Sequence, residues 1–359
     1  MNADTLRYKA GMVQTMLALP VRMARIKNSI EHVFGPQEVV YDNDELIALC
    51  VVRDGQYYME SFIEHYLSKG IKHIVFLDNG SRDQTIPIAK KYKHVTILSC
   101  LLPYRKYEIP FALYLINRFA NRRWSLRVDI DELFDFPFSH RIGLSSLLAY
   151  LNSYGYNAAI TQMLDMFSGQ TMSDTTLNRP KNLCDTYRFY NISEIKKEPY
   201  RSHFGNSNIV SNNDIRVYFG GIRKKKFNLD KVCLTKHSLI YYDKKIKPVF
   251  KKNNRVLGHP SAHGVANAKL ADLTCVLYHF KFTIGLHEQA KFAVKENNHY
   301  RKSFEYRHYL DVLNETPGLN MKDDDAVQLG SVDDLVENGL LNISENYMQW
   351  VETSPGVSE

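Results

Sequence analysis

The chain has 359 residues, 44% of them hydrophobic, and a formal net charge of +7. It can therefore bury a core as one large domain or two, which excludes a wholly disordered protein. The positive charge suits phosphates or an anionic membrane surface and does not require nucleic acid as a partner. The five cysteines are far apart and form no C-x-x-C pair, which predicts reduced thiols in a cytoplasmic protein.

Residues 1–40 are predicted to form an N-terminal helical segment. The uncharged stretch at 10–21 is too short to span a membrane and has no small-residue cleavage motif, so a signal peptide is not indicated. A helix docked on the rest of the protein is one interpretation. An amphipathic helix on an anionic membrane is the other, and it would give a peripheral contact at the inner face of the cell membrane.

Strand and helix patterns alternate from residue 46 to residue 137. Four apolar runs predict strands, at 46–52, 71–77, 95–98 and 124–128. An apolar stripe ending before Gly70 predicts a helix with a glycine cap, and Pro110 predicts the start of a helix that reaches about Arg122. The first strand, helix and strand fit a right-handed parallel crossover. The predicted fold is therefore a doubly wound, mostly parallel α/β sheet.

The remainder of the chain is less regular. Residues 169–235 are rich in Asn, Ser, Tyr and charge, which is typical of loops that shape a substrate cleft. Periodicity predicts further elements: a helix at 144–151, a strand at 158–164 ending at Asp165, a strand at 273–282, a helix at 283–298 and one weak helix with a polar tail in 323–359.

Carboxylates follow three of the predicted strands. Asp54 and Asp78 stand at the ends of the first two, and three acids, Asp129, Asp131 and Glu132, follow the fourth. Ligands of doubly wound sheets bind outside the carboxyl ends of the strands, so these loops are predicted to converge on one rim.

The acidic loop after the fourth strand predicts a cation site. In extended chain Asp129 and Asp131 would face one side and Glu132 the other, and two adjacent carboxylates repel unless a cation lies between them. Oxygen ligands without a nearby Cys or His favour Mg²⁺ or Mn²⁺. A solvated, helix-capping acidic turn is the alternative interpretation.

In their order and spacing these motifs resemble the GT-A glycosyltransferases, specifically the bacterial family 2-like group. The matching segments are Val52-Arg53-Asp54, Asp78-Asn79-Gly80-Ser81-Arg82-Asp83, Asp129-Ile130-Asp131-Glu132, His279-Phe280-Lys281-Phe282 and Glu305-Tyr306-Arg307. The resemblance reaches from about residue 45 to about residue 310. The first loop departs from it, since the family usually has Arg-Asn-Glu where this chain has Arg53-Asp54-Gly55.

The resemblance implies a metal-dependent glycosyltransferase that uses a nucleotide-sugar donor, with a UDP-sugar favoured. The acceptor would be a glycan, lipid-linked or surface-polysaccharide molecule, and the reaction would invert the sugar's configuration. It implies that Asp78, with Asn79 beside it, contacts the nucleoside and that the loop at Arg53 and Asp54 borders the base. Asp129 and Asp131 would bind the Mn²⁺ or Mg²⁺ ion that carries the sugar diphosphate.

Two further residues are candidates for the site. His279, at a predicted strand end, would be another metal or diphosphate ligand by the same resemblance, or else a satisfied core histidine. Asp165 lies at a strand end on the same predicted rim and is the candidate general base, with helix capping as its alternative.

The chain divides into four predicted parts. They are the N-terminal helical segment (1–40), a GT-A-like nucleotide-sugar-binding and catalytic core (41–235), an acceptor-side part of the catalytic domain (236–320) and a C-terminal extension or tail with a weak helix (321–359).

Two other functions remain open from the sequence. The first is a haloacid dehalogenase-like phosphatase with Asp129 as nucleophile, although that motif needs Thr at position 133, where this chain has Leu133. The second is a basic protein that binds polyanions or membranes, which rests on the charge of +7 alone.

Overall fold

The structure is a computed structural model that describes residues 18–172, 180, 182–243, 264–296 and 300–355. Predictions for residues 1–17 lie outside this range. The helices are α1 (18–29), α2 (Gln56–Ser68), α3 (Thr85–Ala89), α4 (Tyr104–Phe119), α5 (Leu144–Ser153), α6 (Leu183–Thr186), α7 (Tyr200–Phe204), α8 (Ile222–Phe227), α9 (Leu286–Glu296), α10 (Tyr300–Glu315), α11 (Asp334–Glu337) and α12 (Glu345–Thr353). The strands are β1 (Glu31–Phe34), β2 (Ile47–Val52), β3 (His73–Asp78), β4 (Val95–Ser99), β5 (Trp124–Arg127), β6 (Glu132–Asp135), β7 (Ala158–Phe167), β8 (Phe189–Tyr190), β9 (Ile195–Pro199), β10 (Ile209–Val210), β11 (Arg216–Gly220), β12 (Thr235–Tyr241), β13 (Lys269–Phe282) and β14 (Val327–Gln328).

One large mixed sheet organises the described residues. Its main path runs β1-β4-β3-β2-β5-β12-β7-β13-β10, with β6 paired to β13 and β8 to β7. The four strands predicted from the apolar runs form the parallel block β4-β3-β2-β5. The predicted α/β fold with a doubly wound, mostly parallel sheet is thus confirmed. Antiparallel pairing enters through β1 at one edge and through β12, which lies between β5 and β7.

Both faces of the parallel block are covered, as continuous apolar strands require. Alternate residues of β2 belong to different apolar clusters: Ala48 and Cys50 pack with helix α2, whereas Ile47 and Leu49 pack with helix α4. Helix α1 also packs on the second face, through the buried Ile26. The helix in the N-terminal segment is therefore docked on the protein over its described part.

The helix after β4 begins earlier than predicted. It starts at Tyr104, directly after Pro103, and contains Pro110 within it. The prediction that Pro110 opens this helix is wrong, because Pro103 already stands at its start and the chain accommodates the second proline inside it. Asp165 likewise lies inside β7, two residues before its end at Phe167, and not at the end of the strand.

Residues 169–235 contain more regular structure than the sequence predicted. Strands β9 and β11 form a separate antiparallel pair, and helix α8 follows β11 directly. Gly220 and Gly221 make this connection with φ of 78° and 61°, values that favour glycine. The segment therefore holds α8 in a defined place beside the large sheet.

The C-terminal segment packs against the core and contains two described helices, α11 and α12, where the sequence indicated one weak helix. Leu335, Tyr347 and Val351 are buried in the same cluster as helix α2. The hydroxyl of Tyr347 donates to the Pro137 carbonyl at 2.7 Å. The division of the chain at residues 40, 235 and 320 stays a prediction.

None of the described helices combines the length and the apolar character needed to cross a bilayer.

We expect Tyr347→Ala to lower the free energy of unfolding by about 3–5 kcal/mol, since it removes a fully buried aromatic ring. Tyr347→Phe keeps the ring and loses the hydrogen bond to Pro137, so it should cost about 1 kcal/mol. Urea unfolding of both variants measures the difference. Wild-type stability of the alanine variant would show that the C-terminal segment does not support the core.

Candidate functional site

The candidate site lies where the carboxyl ends of the parallel strands meet. Strand β2 pairs in parallel with β3 on one side and with β5 on the other. The chain first winds outward from β2 through β3 to β4 and then returns to β5, so the direction of winding reverses between β2 and β5. Doubly wound sheets bind ligands in the crevice outside such a reversal.

The loops on both sides of this crevice touch each other. Arg53 and Asp54 follow β2, and Asp129 follows β5. A Cβ atom on Gly55 would lie only 3.0 Å from Cγ1 of Ile130, so the two loops are in direct contact. The structure therefore brings the predicted acidic loops together at one rim.

The loop after β2 is hydrogen-bonded to the loop after β3. The Arg82 amide donates to Asp54 Oδ1 at 2.7 Å, and the Asp54 amide donates to Ser81 Oγ at 2.9 Å. The carboxylate of Asp78 accepts from the amides of Gly80 and Ser81, each at 3.1 Å. Asp54 and Asp78 thus shape these loops through bonds to the backbone.

Asn79 is engaged in the same way. Its Nδ2 donates to the carbonyls of Cys100 and Leu102 at 2.6 Å and 2.9 Å. Arg53 is more accessible, with 34% of its side chain exposed and its Nε 3.6 Å from Asp54 Oδ2. The nucleotide contacts assigned to Arg53, Asp54, Asp78 and Asn79 stay predictions.

Asp129 and Glu132 share a positive partner, the ammonium group of Lys236. Lys236 Nζ lies 3.0 Å from Asp129 Oδ2 and forms a closer ion pair with Glu132 Oε1. The chain turns between β5 and β6, and the Glu132 amide donates to the Asp129 carbonyl at 3.1 Å. The prediction that Glu132 points away from Asp129 is wrong, because it assumed extended chain where the structure has a turn.

Lys236 was not among the residues identified from the sequence. It is the second residue of β12, and because β12 runs antiparallel to β5 its first residues lie at the carboxyl end of β5. The side chain is only 5% exposed. A lone lysine in the otherwise strand-like run TKHSLIY is the signal that could have marked it, since a buried lysine needs a charged partner.

The remaining acid of the loop, Asp131, faces a different partner. His279 Nε2 lies 3.5 Å from Asp131 Oδ2, and His279 Nδ1 lies 2.5 Å from Asp165 Oδ1. His279 and Asp165 are direct partners in the parallel pairing of β13 with β7. The sheet therefore brings together three of the predicted site residues, in the order Asp131, His279, Asp165.

Arg223 completes this row of charges. Its Nε and Nη2 donate to the two oxygens of Asp165 at 2.7 Å and 2.8 Å, a bidentate geometry. On its outer side, Arg223 Nη1 lies 3.5 Å from Glu305 Oε2. A run of basic residues such as 223–226 is usually a solvated surface, whereas Arg223 is buried against Asp165.

The mutual contacts of these groups determine their charges. Burial acts to raise the pKa of Asp131, but His279, together with Lys281 and Lys236, holds that pKa well below the ordinary value. Burial also acts to raise the pKa of Asp165, which Arg223 and His279 keep low. Burial acts to lower the pKa of His279, but Asp131 and Asp165 together raise it to about 9. The row is therefore charged at neutral pH, with each carboxylate facing a cation.

A divalent metal ion fits part of this donor set. Mg²⁺ commonly uses one or two protein carboxylates together with substrate phosphates, and a metal-bound histidine usually has its other nitrogen hydrogen-bonded to a carboxylate, as His279 has to Asp165. Over the ranges given above, no three His, Cys, Asp or Glu side chains are arranged to hold an ion. The residues fit an open site with Asp131 and His279 as protein ligands. The metal-binding roles of Asp129, Asp131 and His279 stay predictions.

Asp165 has little capacity left for proton transfer. It is 5% exposed, and its two oxygens already accept from Arg223 and His279. A general base must reach the proton that it removes. The role of Asp165 as general base stays a prediction, and the contacts of Asp165 do not favour it.

Comparisons with known proteins give no close match. No protein-family model and no curated protein matches the chain. Among solved structures, a 4-diphosphocytidyl-2C-methyl-D-erythritol synthase aligns with 40% of this chain and 72% of its own, at 9% identity and a TM-score of 0.24. A UDP-glucose pyrophosphorylase from Acinetobacter baumanii aligns with 38% of this chain and 64% of its own, at 13% identity and a TM-score of 0.20. TM-scores this low carry no argument about what the chain does.

We expect Lys236→Met to destabilise the fold by about 3–5 kcal/mol, because it leaves the buried carboxylate of Glu132 without its cation. Urea unfolding measures this loss. Lys72→Met is the matched control, since Lys72 forms an ion pair of similar length with Glu45 at the protein surface. Loss of this exposed pair should leave the free energy of unfolding unchanged within error. Equal behaviour of the two variants would contradict a structural role for Lys236.

Proposed function

We propose that the chain is a glycosyltransferase that moves a sugar from a nucleotide-sugar donor, a UDP-sugar in the first instance, to a glycan or surface-polysaccharide acceptor. The observation that carries this proposal is the crevice between β2 and β5, where acidic loops and buried cations meet at the carboxyl ends of the strands. The motif resemblance supports the same function.

A nucleotide sugar makes two different demands on such a crevice. Its base and ribose need hydrogen-bonding groups on a shaped surface, and its diphosphate needs compensation of negative charge. The hydrogen-bonded loops at Arg53 and Asp78 suit the first demand. The second is suited by Lys236 and by a divalent ion on Asp131 and His279, which lie on the other side of the β2–β5 reversal. We therefore orient the donor with its nucleoside towards β2 and β3 and its diphosphate towards β5 and β13.

Asp131 and His279 are the residues that would hold Mn²⁺ or Mg²⁺ in this proposal. A divalent ion supplies positive charge that stabilises a departing nucleoside diphosphate. Lys236 holds Asp129 and Glu132 in place and adds a permanent positive charge beside them. Since this ammonium group is already ordered and buried, it contributes to the field at the crevice without reorganising when a donor binds.

The proposal predicts that UDP binds the purified protein only when Mn²⁺ is present. Calorimetric titration with Mn²⁺, and again with excess chelator, measures this directly. A melting curve gives an independent check, since UDP at about 100 times its dissociation constant should stabilise the fold by about 2.7 kcal/mol.

GDP, CDP and dTDP are the comparison ligands for this titration. Binding of one of them in place of UDP would keep the function and change the donor. Failure of all four nucleotides would contradict the proposal, and hydrolysis of a phosphomonoester by the same protein would then favour the phosphatase with Asp129 as nucleophile.

Asp131→Asn should weaken Mn²⁺-dependent UDP binding by more than about 100-fold. Loss of a residue that only supports a metal ligand lowers metal affinity by at most about 100-fold, so loss of a ligand itself should exceed that. Asp135→Asn is the matched control. Asp135 is a nearby carboxylate in β6 whose partner is Lys69, at 2.7 Å, so its loss should leave UDP binding unchanged. Undiminished binding by the Asp131 variant would remove Asp131 from the donor site.

A further inference from the structure

The side chain of Asp165 has a geometry that the donor-binding proposal does not explain. It is a carboxylate two residues before the end of a buried strand, and both of its oxygens are engaged by other side chains. Its Oδ1 accepts from His279 Nδ1 at 2.5 Å and from Arg223 Nη2 at 2.8 Å, and its Oδ2 accepts from Arg223 Nε at 2.7 Å. Asp165 therefore joins a fixed arginine to a histidine whose far side faces Asp131.

The chemistry of these contacts requires a proton on Nδ1 of His279. Arginine only donates, and an ionised carboxylate only accepts. Asp165 Oδ1 must then receive the proton of His279 Nδ1, and Arg223 Nη2 lies 3.0 Å from Nδ1 because both groups donate to the same oxygen. Nε2 is left as the nitrogen that faces Asp131.

The arginine is itself held from several directions. Helix α8 begins after two glycines with positive φ, and its Phe227 stacks on Phe282 of β13 with ring centroids 5.3 Å apart. Arg223 is 4% exposed, so it is not free to reach a ligand and its bidentate bond is its main polar contact. Asp165 is thus fixed by the strand and by an arginine that cannot rotate away.

From this arrangement we infer that Asp165, anchored by Arg223, is the positioning residue that fixes the ring of His279 with Nε2 directed at Asp131. Its significance for metal binding rests on the proposed function, in which Asp131 and His279 hold the divalent ion. Asp165 then touches neither metal nor substrate. A carboxylate that orients a ligating histidine in this way typically affects metal affinity 10–100-fold.

The test is a calorimetric titration of the full chain with Mn²⁺ in the presence of UDP. It compares the Mn²⁺ affinity of wild type with that of Asp165→Ala and Asp165→Asn. Asp165→Ala should bind Mn²⁺ about 10–100-fold more weakly. Asp165→Asn keeps the shape and one acceptor oxygen, so it should disturb the fold less than Asp165→Ala and lose affinity by a smaller factor. Wild-type affinity in the asparagine variant and in any folded alanine variant would overturn the inference.

Asp272→Asn is the matched control, since Asp272 is also a buried carboxylate on a strand of the large sheet. Its oxygens accept from Tyr150 and Ser344 at 2.6–2.8 Å, and it makes no contact with His279. It should lose stability and keep its Mn²⁺ affinity. An equal fall in affinity in this variant would assign the effect to general destabilisation and overturn the inference.

A second readout separates this inference from the proposed function. In metal-free ¹⁵N-labelled protein, the Nδ1 proton of His279 should give a strongly downfield resonance in wild type that persists in Asp272→Asn. It should shift upfield in Asp165→Asn, whose amide oxygen is a weaker acceptor, and disappear in a folded Asp165→Ala variant. If wild type binds no Mn²⁺, the proposed metal site fails and this resonance alone decides the positioning role. A His279 spectrum unchanged by Asp165→Asn would overturn that role.

Discussion

The need of buried carboxylates for positive partners is the constraint on which the candidate site depends. Asp129, Asp131, Glu132 and Asp165 lie at or near the carboxyl ends of strands, where Glu132 and Asp165 are almost inaccessible to water. A charge in such a place is costly unless it is paired and hydrogen-bonded. Each one has such a partner, supplied by Lys236, His279 or Arg223 from a distant part of the chain.

The mixed sheet meets part of this constraint. If the strand beside β5 ran parallel to it, the last residues of that strand would lie at the same rim as the end of β5. Strand β12 runs the other way and so brings its first residues, including Lys236, to the end of β5. Strand β13 returns to the parallel direction beside β7 and carries His279 to the same level as Asp165. The reversed strand β12 and the parallel strand β13 thus each bring a cation to an acid.

The elements that could be predicted from sequence are those with local signals. Apolar runs marked β2, β3, β4 and β5, and Gly70, with φ of 86°, marked the end of α2 as a cap. The acids at the rim were found because each follows such a run directly. Sequence spacing was sufficient for these residues, since the carboxyl ends of neighbouring parallel strands share one edge.

What could not be predicted is determined by contacts across the fold. Nothing near Lys236 in the sequence indicates that it faces Asp129 and Glu132, because that contact depends on where β12 inserts. The burial of Arg223 depends in the same way on the register of β7 and on the turn at Gly220. Helix α12 resembles a weak surface helix until its partners in the core are known. The extended geometry assumed for Asp129 to Glu132 was wrong because the chain turns there, with the Glu132 amide bonded to the Asp129 carbonyl.

The insertion of β12 also has a consequence for how the protein is made. Lys236 follows Asp129 by 107 residues, so at about 5–20 residues per second the ribosome needs roughly 5 to 20 seconds to deliver β12 after β5. Throughout that interval β5 has an unpaired edge, and Asp129 and Glu132 beside it lack their partner Lys236. Exposed edges invite pairing with other chains, and uncompensated acids disfavour it. The same carboxylates that require Lys236 in the finished protein therefore protect the nascent sheet before Lys236 has been synthesised.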